Sequence, residues 1–108
     1  MIEVEDELQR FIDAVRDSKT YREYDTARAV LKRDEALMEK VNAYRRKNFE
    51  MQNSDETEDL EERLEQYWMD NLELTDEPRV KRFLQAELAL CRMLQEVTDR
   101  LVGSLNFE

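Results

Sequence analysis

The chain has 108 residues, enough for one core and too few to wall off a deep pocket without help from a second chain. Charged residues make up 41% of it, while Gly and Pro occur once each; strands and tight turns need those two residues, so a β-rich fold is excluded and helices joined by short polar loops are expected. The net charge is −10, and residues 53–77 hold eleven acids against Arg63, an excess equal to the whole net charge. A field of that sign repels phosphate backbones, so direct nucleic-acid binding is disfavoured.

The opening residues, Ile2 to Glu7, are acidic and have neither the basic start nor the apolar stretch of a signal peptide. No window approaches the roughly 18 apolar residues of a membrane span. Cys91 is the single cysteine, so no intrachain disulfide can form, and the expected setting is a reducing cytoplasm. A first helix over 3–17 follows from Val4, Leu8, Phe11, Ile12 and Val15, spaced by three and four. Thr20 to Glu23 reads as a capping box, and from Tyr21 an unbroken pattern through Leu31, Leu37, Val41 and Tyr44 predicts one long helix over 20–51.

Asn53 to Asp55 ends that helix, and Ser54 or Asp55 is positioned to cap the next, over 56–73. Its apolar face is Leu60, Leu64, Tyr67, Trp68 and Leu72. Pro78 in a first turn starts the last helix, over 77–102, with Gly103 as its stop. The expected architecture is therefore all-α: one domain over 1–108, a helical bundle of about four helices, two of them long.

The last helix carries apolar residues at more positions than a two-stranded seam uses. With Leu84, Cys91 and Leu105 at heptad position a, Leu94 and Leu101 fall at d, and Phe83, Leu90 and Val97 widen the stripe at g. Two readings follow: the whole stripe is the core of a single bundle, or Phe83, Leu90, Leu94, Val97 and Leu101 help to hold a homo-oligomer.

Chemistry is sparse. Histidine is absent, which removes the commonest general base, the Ser-His and Cys-His nucleophile pairs and the commonest metal ligand. With one glycine there is no phosphate-cradling loop. Glu58, Glu61, Glu62 and Glu65 stand at helical spacing, the pattern of any solvated face, so no metal ligand and no catalytic residue is assigned. Cys91, between Leu88, Leu90 and Leu94, reads as core filling. A metal-dependent carboxylate hydrolase is the rival from the enzyme class, and an RNA-binding accessory protein is a further one.

The most suggestive constellation is Tyr44, Arg45, Arg46, Lys47 and Phe49. Aromatics and arginines dominate binding hot spots, which makes it a candidate partner surface; equally, cations complement a helix C-terminus while aromatics fill a core. Three consecutive residues fan through about 200° of a helix, so at least one faces solvent. Another is positioned to anchor the acidic helix around Glu61 and Glu62.

These residues also carry a resemblance. Tyr21-Arg22-Glu23-Tyr24, Leu31-Lys32, the run Tyr44 to Phe49 with Gln52, and the stretch Glu87 to Val97 together resemble the YlbF/YmcA/YheA family of small bacterial helical proteins. The resemblance implies a multi-helix fold that self-associates and a non-enzymatic adaptor of the cytosol. It further implies binding to other cytosolic proteins in the control of competence, sporulation and biofilm formation, with links to an RNA-processing complex that matures messenger RNA. Some complexes of such proteins are associated with iron–sulfur clusters, which need several cysteinyl ligands. With a single cysteine, no cofactor is carried over to this chain.

Overall fold

The computed structural model describes residues 2–55 and 58–106. Among them are six helices and no strand: α1 Glu5–Asp17, α2 Lys19–Lys32, α3 Glu35–Gln52, α4 Leu60–Asp70, α5 Leu72–Thr75 and α6 Pro78–Ser104. The all-helical expectation holds; the number of helices does not, because two of the expected four are broken by side-chain caps.

Ser18 makes the first joint. Its backbone turns extended (ψ 149°), its hydroxyl donates to the Val15 carbonyl at 2.6 Å, and the same oxygen accepts the Tyr21 N–H at 3.1 Å. One hydroxyl thus closes α1 and caps α2, two residues earlier than the expected box at Thr20, which lies inside α2. Asp34 makes the second joint, splitting the expected 20–51 helix. It is extended (φ −115°, ψ 92°), and its carboxylate accepts the Leu37 N–H at 3.0 Å. Lys32 in the last turn of α2 complements the negative end of the dipole there.

The expected 56–73 helix is likewise two. α4 opens after Asp59, in the left-handed region (φ 57°), and Asn71 interrupts it by donating from its side chain to the Tyr67 carbonyl at 2.7 Å. Ser54 and Asp55 are not its caps; the Ser54 hydroxyl instead donates to Met51 O at the end of α3. Pro78 does start α6, in whose first turn the Glu77 carboxylate accepts the N–H groups of Arg79 and Val80 at 2.9 and 3.1 Å. Gly103 is not the stop, since it sits within the helix at negative φ; the left-handed residue beyond the end is Asn106 (φ 53°).

The core is small: Ala27 and Leu31 of α2, Val41 of α3, and Val80 and Phe83 of α6, with Tyr24, Leu37, Met38, Leu74 and Leu84 packed against it. The most extensive helix pairing is α2 with α6. At 1.5 Å per residue, α2 is about 21 Å long and α6 about 40 Å. α2 therefore covers only the first part of α6. The consequence is an open shape: the radius of gyration is 17.1 Å over extents of 46 × 38 × 23 Å, where a compact chain of this length has about 13 Å.

Candidate protein-interaction surfaces

The basic-aromatic stretch on α3 divides by depth. Tyr44 is half-buried and stacks on Tyr67 of α4 with ring centres 5.1 Å apart and planes 9° from parallel. The Tyr67 hydroxyl donates to the Tyr44 carbonyl at 3.4 Å. Burial raises the pKa of both phenols above the ordinary value, and their mutual repulsion adds to this for Tyr44.

Arg45 turns to Glu87 of α6, so it is not the member of the basic run that anchors the acidic helix around Glu61 and Glu62. Its guanidinium forks onto the Glu87 carboxylate, Nε donating to Oε1 at 3.3 Å and Nη2 to Oε2. It also donates to Asn42 at 3.3 Å and lies 5.4 Å from the centre of the Phe83 ring. This is a planar ion pair over an aromatic face, the geometry for which arginine is suited, and it locks α3 to α6. Arg46 and Lys47 point to solvent, and Phe49 is 65% exposed beside them. These three are the most exposed of the five candidates.

The stripe on α6 divides in the same way. Phe83 is buried in the chain's own core, and Leu90 and Val97 are half-buried. Leu94 and Leu101 are 41% and 58% exposed. Eleven and eighteen residues beyond Phe83, at about 100° per residue, they return to within about 20° of its face. That face is core where α2 covers it and bare where α2 has ended. Leu8 and Phe11 of α1 and Val4 at its N-cap are also exposed, so a second apolar helix stripe lies open. Cys91 is exposed, not core; it lies on the part of α6 for which the chain supplies too little cover.

A further surface was not expected. Trp68, placed by periodicity on the apolar face of its helix, is 50% exposed, as is Leu88. With Tyr44 and Leu84 they line a cleft of about 280 Å³ between α4 and α6, rimmed by Asp76, Lys81 and Gln85. Periodicity marks apolar positions and cannot say which the chain leaves uncovered.

Among the described residues, no three acids or cysteines converge as cation ligands. No helix among them is long and apolar enough to cross a membrane.

A family model described as control of competence regulator ComK, YlbF/YmcA, matches residues 4–106. No curated protein and no solved structure matches the chain.

Proposed function

The chain belongs to the YlbF/YmcA family, described as controlling the competence regulator ComK, and from that membership we propose that it is a non-catalytic regulatory adaptor that self-associates and acts by binding other proteins. In this reading it works in the cytoplasm as one domain. It lends its exposed helical faces to a complex that controls competence and is linked to messenger RNA maturation.

The observation that carries the reading is surface area. The chain exposes 8881 Å², whereas a compact monomer of 13.1 kDa exposes about 6,400 Å². The excess of about 2,500 Å² matches one side of a large obligate interface, which buries 2,000–5,000 Å² in total. Much of it is apolar: distal α6 offers Leu94 and Leu101, and α1 offers Leu8 and Phe11. A bare apolar face of this extent marks an interaction site.

The test is light scattering at micromolar concentration, on the wild type and on Leu94→Asp. Leu94 is part-exposed in the single chain, so the variant should keep its helical circular dichroism while its mass falls from an oligomer to a monomer. A monomeric wild type would remove self-association from the proposal.

A further inference from the structure

We propose that the cleft between α4 and α6, lined by Trp68, Leu84 and Leu88, receives a basic amphipathic helix of a partner protein. This rests on the reading of the chain as a protein-binding regulator and names the chemistry of the partner. Tyr44 and Leu84 line a groove that Trp68 and Leu88 leave half-open. That is the apolar pocket into which an anchor side chain of a docking helix fits.

The charge around it selects the sign of the partner. Every exposed charge on residues 58–76 is acidic. Glu61 and Glu65 share the helical stripe of Trp68, at spacings of seven and three residues. Among the described residues lining the cleft, Asp76 and Lys81 balance each other in charge, so the acidic excess beside it comes from α4. A basic helix therefore gains both apolar burial and Coulomb attraction, while an acidic one is repelled by the α4 wall.

This cleft is separate from the face proposed for self-association. Leu88 lies five residues past Phe83, about 140° around the helix from the Phe83, Leu94 and Leu101 line. The two surfaces can be occupied together and broken separately.

Trp68 is the chain's single tryptophan, so its fluorescence reports directly on the cleft. The probe is a synthetic Lys/Leu peptide of about 18 residues, long enough for a helix of about 27 Å. Two controls accompany it: a Glu/Leu peptide with the same apolar stripe, and a Lys/Leu peptide of the same composition with the stripe scrambled. The expected result is a blue shift of Trp68 emission with the amphipathic Lys/Leu peptide alone. Binding should weaken about tenfold or more in Leu88→Lys, by the loss of an anchor contact, and more modestly in Glu65→Lys. Leu101→Asp should leave it unchanged.

Equal binding of either control peptide, or no effect of Leu88→Lys, overturns the proposal. So does a blue shift that grows with protein concentration without peptide, which would place a second copy in the cleft. A chain that oligomerises but ignores the peptide sinks this inference alone. A monomeric chain that binds it sinks self-association alone.

Discussion

The two halves of α6 are built from the same kind of residues and meet opposite fates. In the first half, Val80 and Phe83 are fully buried against Ala27 and Leu31 of α2. In the second half, Leu94 and Leu101 lie on the same helical face and are 41% and 58% exposed. Nothing in their chemistry separates them; α2 is 14 residues long and α6 is 27. The Ser18 cap ends the run of α2 and redirects α1, so the chain's own cover stops partway. The difference shows that a helical stripe encodes a demand for burial without stating who meets it. In the proximal half the chain meets it; in the distal half Leu94 and Leu101 are left part-exposed, and the proposed second chain would meet it.

Substitutions in the two halves should accordingly differ in kind. The largest effect is expected at Phe83, where truncation to Ala removes a fully buried ring touching Tyr24 at 5.7 Å and Arg45 at 5.4 Å. The cost should be about 3–5 kcal/mol, seen as a large fall in the midpoint of urea unfolding. If Leu94→Ala cost the chain as much at concentrations where it is monomeric, the contrast between the halves would fail.

Arg45→Ala comes next. It leaves Glu87 without its fork and unlocks α3 from α6, at about 2 kcal/mol for a charge-assisted pair that is still partly in water. Arg46→Ala and Lys47→Ala, on exposed side chains, should each change stability by about 0.5 kcal/mol or less. Thermal melts of the three variants side by side check the division; equal losses would contradict it.

A smaller effect is expected with alkali. The Tyr44 and Tyr67 ionisations are raised in the fold above the ordinary 10.0, chiefly by burial. The unfolded chain therefore gives up these protons at lower pH than the folded one. Their contribution to stability is fully present below pH 10.0, the ordinary value, and is lost as pH rises above it through the raised values. A spectrophotometric titration should find Tyr44 and Tyr67 ionising above pH 10.0, and Tyr44→Phe should remove one of these late steps. Loss of no late step in Tyr44→Phe would show that the stack is not maintained.

Least is expected at Cys91 and Gly103. Cys91 is exposed, so Cys91→Ala should shift monomer stability by about 0.5 kcal/mol or less. Gly103 sits in the last turn with nothing within 4 Å of an added Cβ. Gly103→Ala should stabilise by up to about 1 kcal/mol through helix propensity. Destabilisation on melting would mean that the glycine is required as a terminus after all.

Helix type was legible in the sequence, because apolar spacing, Pro78 and the scarcity of turn residues all pointed one way. The joints were less so. Val30, Leu37 and Val41 stay nearly in phase across the break at Asp34, and periodicity reads straight through a cap that replaces one helical turn by another. The signal was present in local chemistry: Lys32 and Arg33 ahead of an Asp, which favours helix starts. Ser18 gave the same kind of signal two residues ahead of the expected cap at Thr20.

The candidate surfaces were legible only as lists of residues. That Arg45 belongs to the scaffold depends on Glu87, 42 positions away, and no local pattern identifies such a partner. The Trp68 cleft and the exposure of Cys91 depend on where α2 and α5 end. The start of α2 is set by the Ser18 side chain.

Hydrogen exchange along α6, followed as protein concentration is raised from nanomolar to tens of micromolar, tests the claim about its two halves most directly. The account predicts that amides of residues 80–87 are protected at every concentration. Those of residues 94–101 should exchange fast when dilute and gain protection as the chains associate. Slow exchange of 94–101 that is independent of concentration would mean the chain covers its own distal face, and would contradict the account.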